Sequence, residues 1–233
     1  MKLLAFDTST EAMSIAVSDG GRMLEHTGAG GAQASATLIP AVMALLKEAG
    51  LSLAELDAIA FGRGPGSFTG LRTACSVAQG LAFGARVRVL PVDTLLALAD
   101  DARLASGRLQ IVAALDARMD EMYVARYDFA ADGAVPDVEP LLVGPQALDL
   151  PAGWVLAGNV FTPYAARLQG IAAQDRVEAL PTAAAMLRLA PALLAAGRAV
   201  DPAHALPRYI RDKVAKTTSE RAAEKSAQPA SPP

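Results

Sequence analysis

The chain has 233 residues, enough for one large domain or two small ones with a sizeable core. It is 52% hydrophobic and 19% charged, with a formal net charge of −3, a globular balance that offers no general attraction for nucleic acid. Its one cysteine excludes an internal disulfide framework and fits a reducing compartment.

Neither a signal peptide nor a membrane span is expected. The first apolar run, Leu3 to Phe6, is too short for a signal peptide, and Asp7 interrupts it. No uncharged window is long enough to span a bilayer, because even the Ala/Leu-rich segment 183–199 contains Arg188. We therefore expect a cytoplasmic protein that makes no membrane contact.

The first half of the chain alternates strand and helix patterns. Alternating apolar residues flank Asp19-Gly20-Gly21, which is typical of a hairpin. In chain order, the predicted elements are a buried strand at residues 2–6, strands at 13–18 and 22–27, a helix at 35–49 ended by Gly50, a strand at 56–61, a helix at 67–83 ended by Gly84, a strand at 88–92, and a helix from Asp93 or Thr94 to about residue 105.

Residues 62–72, Gly-Arg-Gly-Pro-Gly-Ser-Phe-Thr-Gly-Leu-Arg, form the stretch around which this half is organised. The glycines and the proline break regular structure, and Ser67 or Thr69 can cap the helix that follows. That helix is thin, because small residues lie on several of its faces. Three interpretations stay open: an anion cradle, a plain strand-to-helix turn, and an interaction helix. A Walker A loop is excluded, since no lysine follows the glycines at the required spacing.

The pattern restarts near Ser106-Gly107. Apolar residues 4–6 and 113–115 are each followed by an aspartate, Asp7 and Asp116, and then by a polar turn and an alternating strand. This internal repeat predicts an α/β protein with two lobes, the duplicated, RNase H-like architecture of the actin and hexokinase superfamily. A chance similarity over so few positions is the alternative.

The second half adds three strands and two helices to the pattern. They are predicted as strands at 123–129, 141–143 and 154–157, and helices at 162–168 and 182–196. The predicted division is a first lobe at 1–106, to which the last helix is free to return, a smaller second lobe at 107–215, and a disordered tail at 216–233.

Oxygen-bearing side chains follow the first strand at Asp7, Thr8, Ser9 and Thr10, which are weak candidates for a cofactor site. Such a cluster could bind phosphate or hold a metal-bound water, and the alternative is an Asx-turn that satisfies local N–H groups. The corresponding turn at Asp116 has no glycine, so its backbone is poorly suited to approach a phosphate.

Metal and hydrolase chemistry lack a motif in this sequence. His26 and His204 are far apart and form no zinc-binding pattern. Ser67 lies outside a Gly-x-Ser-x-Gly nucleophile elbow, and Cys75, in an apolar helix, is predicted to be a packed core thiol. We therefore predict no catalytic residue and no metal ligand.

Several of these motifs together resemble a known family. The segment 4–11, Leu-Ala-Phe-Asp-Thr-Ser-Thr-Glu, is similar to the N-terminal signature of the bacterial TsaB proteins, also called YeaZ. Residues 62–72 with 78–82 resemble their central signature, and 115–118 with 121–123 resemble the opening of their second lobe. The resemblance is good over about residues 2–130 and thin beyond, where 207–211 resemble the usual C-terminal end.

The resemblance implies an actin-like (ASKHA) fold and a subunit that is not an enzyme. Such a subunit binds and supports the related TsaD protein and, with the ATPase TsaE, assists transfer of a threonylcarbamoyl group to the adenosine beside the tRNA anticodon. It implies that the subunit holds no cofactor, since ATP and metal belong to the partners, that tRNA is met only through the complex, and that the chain alone is a homodimer.

Carried over from the family, the partner contacts fall on the two early helices, about residues 35–49 and 67–83. One departure is Ala34, near which many family members carry a histidine. The predicted interface residues on these helices are Leu38, Val42, Leu45, Leu71, Ala74, Ala78 and Leu81.

Two other functions remain as alternatives. An active actin-like ATPase or kinase is favoured by the turn after Asp7 and disfavoured by the turn after Asp116. A glycoprotease-like peptidase is the weaker alternative, because the sequence lacks its metal ligands.

Overall fold

The computed structural model describes residues 1–130 and 137–211, so the predicted tail at 216–233 lies outside the described residues. None of the helices in these residues has the length and hydropathy needed to cross a membrane. The strands are β1 (Leu3–Asp7), β2 (Ala12–Ser18), β3 (Met23–Ala29), β4 (Ala58–Gly64), β5 (Arg88–Asp93), β6 (Gln110–Asp116), β7 (Met122–Asp128), β8 (Leu141–Val143), β9 (Val155–Gly158) and β10 (Arg176–Glu178), and the helices are α1 (Ala34–Ala49), α2 (Phe68–Ala85), α3 (Thr94–Ser106) and α4 (Ala183–Ala195).

Two five-stranded sheets repeat one topology. The first has the order β3-β2-β1-β4-β5, and the second, read from its β8 edge, has the order β8-β7-β6-β9-β10. In each sheet the first strand pairs antiparallel with the second and parallel with the fourth. The predicted α/β fold with two duplicated lobes is confirmed, and Asp7 and Asp116 end equivalent strands.

Apolar clusters place the helices against the sheets. One face of the first sheet, carrying Phe6, Ile15 and Phe61, packs against α1 and α2. Its other face packs with α3, α4 and the inner face of the second sheet in a continuous core. The outer face of the second sheet is covered by a segment of turns that carries Tyr164 and Leu168. Each sheet therefore buries both faces, as the apolar central strands require.

The helices α3 and α4 lie between the two sheets and join them. Helix α3 follows β5 in the chain but packs on β6, and α4 follows the second sheet but packs on β1 and β2. Asp100 of α3 is buried and accepts hydrogen bonds from Arg103 at 2.6 Å and from Arg188 of α4 at 2.8 Å. Removing one partner would leave a buried charge unpaired, which is strongly unfavourable, so this network holds α3 against α4.

Helix α2 lies unusually close to the end of β1. A Cβ atom at Gly70 would stand 1.8 Å from the carbonyl oxygen of Thr8, so only glycine fits there. The Thr8 hydroxyl donates to the Gly70 carbonyl at 2.7 Å, and Ser67 caps the helix by accepting from the Gly70 N–H. The glycine-rich stretch is thus a strand-to-helix turn pressed against β1.

The structure corrects two predicted elements and adds one strand that was not predicted. Helix α2 continues through Gly84 to Ala85, and Arg86, with φ of 61°, supplies the left-handed cap. The helix predicted at 162–168 is a series of turns, in which Tyr164 and Leu168 are both buried. In this segment the i→i−4 backbone hydrogen bonds are those from Tyr164 to Val160 and from Leu168 to Tyr164, so no continuous helical ladder forms. Strand β10 was not predicted, because its three residues contain one apolar side chain.

Two buried tyrosines make a matched test of this core. The Tyr164 hydroxyl donates to the Asp116 carboxylate at 2.7 Å and to the Glu121 carbonyl at 2.9 Å. The buried hydroxyl of Tyr127 has no hydrogen-bond partner in residues 1–130 and 137–211. We expect Tyr164→Phe to lower the free energy of unfolding by about 2 kcal/mol and Tyr127→Phe to leave it unchanged or raise it. Urea unfolding measures both, and equal losses in the two variants would contradict the assignment.

Candidate functional site

A cleft of about 510 Å³ lies between the lobes, where β1 and β6 end. The carboxyl ends of parallel strands are the usual place for a ligand in α/β sheets. From the first lobe it is lined by Ser9, Thr10, Glu11, Gly31 and residues 65–68 and 71, from the second by residues 115–119, Tyr123 and Asn159, and from the C-terminal part of the described chain by residues 208–211.

The Asp7 cluster divides between core and cleft. Asp7 and Thr8 are buried, and only Ser9 and Thr10 of the four predicted cofactor-site residues line the cleft. The Asp7 carboxylate accepts from the Ser9 N–H at 2.7 Å and the Ser9 hydroxyl at 2.5 Å, and from the Thr94 hydroxyl at 3.4 Å. This is the Asx-turn alternative, because the carboxylate satisfies local donors and points away from the cleft.

Burial raises the pKa of Asp7 to about 6, while the hydrogen bonds from Ser9 and Thr94 act in the opposite direction. A Cβ atom at Gly62 would stand 1.7 Å from a carboxylate oxygen of Asp7, so β4 packs directly on this group. Desolvation disfavours the charged form of a carboxyl group. The sealed position of Asp7 therefore favours its protonated form.

The second turn, residues 116–121, is held by the second lobe itself. The Asp116 carboxylate accepts from the Arg118 N–H at 2.8 Å and from Tyr164, and it pairs with the Arg118 guanidinium. Arg118, Met119 and Asp120 have φ of 61°, 56° and 65°. Three successive left-handed residues without glycine store strain, about 1–3 kcal/mol each. The bulky Arg118 and Met119 side chains line the cleft, where a phosphate clamp would need bare backbone.

Residues for metal or triad chemistry do not converge on the cleft. Residues 1–130 and 137–211 hold no cluster of three His, Cys, Asp or Glu side chains able to bind a metal ion. His26 lies on β3 and His204 follows α4, and neither lines the cleft. Cys75 is buried, as predicted, and donates to the Ala205 carbonyl at 3.3 Å. Burial also raises the pKa of this thiol, which lowers its reactivity.

The predicted interface residues lie mostly in the core of the chain itself. Leu38, Val42, Leu45, Ala74 and Ala78 pack between α1, α2 and the first sheet, whereas Leu71 is buried beside the cleft. This burial leaves them little exposed surface for a partner. The apolar spacing that identified them marks the face of each helix that covers its own sheet. The buried residues are Leu38, Val42, Leu45, Leu71, Ala74 and Ala78, while Leu81 is half-buried.

The opposite faces of α1 and α2 carry exposed apolar side chains that the sequence analysis missed. Ile39 and Met43 of α1 are 45% and 46% exposed, and Phe83 of α2 is 80% exposed. Gly80 and Gly84 lie on the exposed side of α2. We call these five residues the open helix face. The signal for its three apolar residues in the sequence is that each lies one position after a core residue: Ile39 after Leu38, Met43 after Val42 and Phe83 after Ala82.

The buried Asp7 predicts a pH dependence of stability. Because the folded-state pKa lies above the unfolded one, the stabilising contribution of the protonated group is present below about pH 4 and is lost as the pH rises through about 6. Asp7→Asn is an uncharged isostere, so relative to wild type it should gain about 2 kcal/mol in the free energy of unfolding between pH 4 and pH 7.5. Urea unfolding of both proteins at these two values measures the change, and a constant difference would contradict it.

Comparison with known proteins identifies the family and agrees with the fold. Residues 31–219 match the family model described as TsaD: tRNA N6-adenosine threonylcarbamoyltransferase. The chain is 36% identical to the tRNA threonylcarbamoyladenosine biosynthesis protein TsaB of Escherichia coli K12, over 92% of this chain and 96% of the relative. It is 43% identical to the Haemophilus influenzae TsaB over 54% of this chain and 53% of that one. The solved structure of YeaZ from Pseudomonas aeruginosa superposes with a TM-score of 0.80 and 39% identity, over 89% of this chain and 99% of that one. The chain belongs to the TsaB (YeaZ) family.

Proposed function

We propose that this chain is a non-catalytic subunit of the tRNA threonylcarbamoyladenosine machinery, which binds and supports a TsaD-like transferase through its open helix face. The name of the Escherichia coli relative assigns that protein to this pathway. The observation that carries the proposal is the pair of exposed glycines within α2, which the fold of the chain itself does not require.

Glycine inside a helix is costly unless a close contact needs it. Relative to alanine it costs about 1 kcal/mol per residue, because the unfolded chain has more freedom to lose. A Cβ atom at Gly80 or Gly84 would meet no heavy atom of the described chain within 4 Å. At Gly70, by contrast, the contact with Thr8 explains the glycine. A helix of another chain crossing at Gly80 and Gly84 supplies the missing explanation, because it could approach the backbone closely.

Apolar side chains beside these glycines fit the same role. Phe83 has the most exposed large hydrophobic side chain in the described residues, and Ile39 and Met43 lie on the neighbouring helix α1. Exposed apolar groups of this kind mark protein contact sites, and aromatic residues dominate their binding energy. A face without charged residues at its centre also suits a helix from a second copy, so we propose that the chain forms a homodimer when alone.

The cleft supports a role without chemistry of its own. Asp7 and Thr8 are engaged in the core, and Arg118 and Met119 stand where the second phosphate clamp of an actin-like ATPase would lie. We propose that ATP and metal are handled by the TsaD-like and TsaE-like partners. With a net charge of −3 the chain is not built to attract tRNA directly, and we propose that it meets tRNA only through the complex.

This division of labour predicts that the purified chain neither binds Mg-ATP tightly nor hydrolyses it. The reason is that the Asp7 carboxylate is sealed beneath Gly62 and cannot hold a metal-bound water. Isothermal titration calorimetry and a phosphate-release assay measure both properties. Micromolar binding together with turnover that disappears in Asp7→Asn would instead support the ATPase alternative.

The open helix face predicts opposite effects on stability and association. Replacing both Gly80 and Gly84 by alanine should raise the free energy of unfolding by about 2 kcal/mol, since helix propensity improves and space is available. The same double variant should weaken binding to a TsaD-like protein about tenfold or more, because two methyl groups hold the partner helix away. Urea unfolding and calorimetric titration with the TsaD-like protein measure the two effects.

A side-chain variant and a matched control complete the test. Phe83→Ser should weaken association about tenfold with little change in stability, because the ring contacts the chain itself so little. Leu104→Ser alters a similarly exposed residue of α3, away from α1 and α2, and should leave association unchanged. Normal binding by both the glycine variant and Phe83→Ser would reject the open helix face as the partner surface.

A further inference from the structure

The segment 205–211, which we call the strap, runs along α2 and ends in the cleft. The Ala205 carbonyl accepts from the Gln79 side chain at 2.9 Å, and the Arg208 N–H donates to the Arg63 carbonyl at 2.6 Å. Farther on, the Tyr209 ring lies 5.3 Å from the Phe68 ring, centroid to centroid. On the first lobe the strap is therefore attached by backbone hydrogen bonds, by the aromatic contact, and by a hydrogen bond that the Tyr209 hydroxyl accepts from Arg72 at 3.0 Å.

On the second lobe the strap is attached by arginine side chains. The Arg211 guanidinium donates to the Glu121 carboxylate at 2.6 Å and to the Arg118 carbonyl at 3.2 Å. Arg208 pairs with Asp93 of the first lobe at 3.1 Å and with Glu139 of the second. The two arginines thus connect the lobes across the cleft, and the turn that receives Arg211 is the one with three left-handed residues.

The strap has few buried apolar contacts of its own. Ala205 is buried and Ile210 packs half-buried against the core between the sheets, but Leu206 and Tyr209 are exposed. A Cβ atom at Gly64 would stand 2.6 Å from the Arg208 carbonyl, so the glycine-rich turn leaves just enough room for the strap to lie against it. A segment held by side-chain ion pairs and isolated backbone bonds opens more readily than the sheets beneath it.

We propose that the strap is a latch that covers the cleft through Arg211 and that its release opens the cleft while both lobes stay folded. Arg211 is the deciding group because its side chain is 13% exposed and joins the strap to the strained turn. When that contact is lost, the strained turn is freed as well, so residues 116–121 loosen together with the strap. The latch concerns the cleft and is independent of the open helix face.

Hydrogen exchange of the full-length chain tests the latch. In Arg211→Gln, the amide of Arg208, which is bonded to Arg63, should exchange about tenfold faster or more, as expected for loss of a charge-assisted contact. The Ala117 amide, which closes the strained turn on the Glu121 carbonyl, should also accelerate. Amides of the central strands β1 and β6 should keep their wild-type rates.

Variants on both sides of the contact provide the controls. Glu121→Gln removes the negative charge that Arg211 pairs with, and it should accelerate the Arg208 amide as Arg211→Gln does. Arg126→Gln breaks an exposed ion pair with Asp149 within the second lobe and should leave the strap unchanged. Wild-type exchange of the Arg208 amide in Arg211→Gln would overturn the proposal, and so would equal acceleration of β1 and β6, which would mean global unfolding.

Discussion

The contact between Gly70 and the end of β1 is the constraint on which the rest of the molecule depends. Because no side chain separates them, α2 rests on the Thr8 carbonyl, and the Thr8 hydroxyl is bonded to the helix backbone. This contact fixes where the glycine-rich turn leaves β4, and so positions the Arg63 carbonyl that receives the strap. Asp7 and Thr8 are buried beside this contact, so the cleft receives only Ser9, Thr10 and Glu11 from the first turn.

The small side chains of α2 serve two surfaces that differ in kind. On the inner side Ala74, Ala78 and Ala82 are fully buried and let the helix pack tightly on its sheet. On the outer side, a Cβ atom at Gly80 or Gly84 would meet no heavy atom of the described residues within 4 Å. The small residues on the inner side are therefore explained by packing within the chain, and those on the outer side are the ones that our proposal assigns to a partner. The energetic cost of helical glycine distinguishes the two sides.

The sequence was sufficient for the fold because its main signals are local and strong. Each of these signals is contained in a short stretch of sequence. They are the alternation of apolar residues in the strands, the hairpin turn at Asp19, and the strand-then-aspartate pattern at Asp7, which recurs at Asp116. The sequence did not show which face of α1 and α2 packs on the sheet, because a face that packs on the core and a face that packs on a partner have the same apolar spacing. The turn segment around Tyr164 was misread as a helix for a related reason, since two buried residues four apart do not show that the backbone between them is helical. Burial of Asp7 beneath Gly62 joins residues far apart in sequence and needed coordinates.

The second lobe repeats the strand order of the first but covers its outer face with turns rather than with a helix pair. The two halves therefore differ in the surface that they present, since only the first lobe carries a helix pair on its outer face. Contact surfaces at both ends of a chain allow copies to be added without limit, because each bound chain presents a further free surface. If the open helix face is the partner surface, as we propose, a bound partner covers it, and an assembly formed through this face closes at two chains.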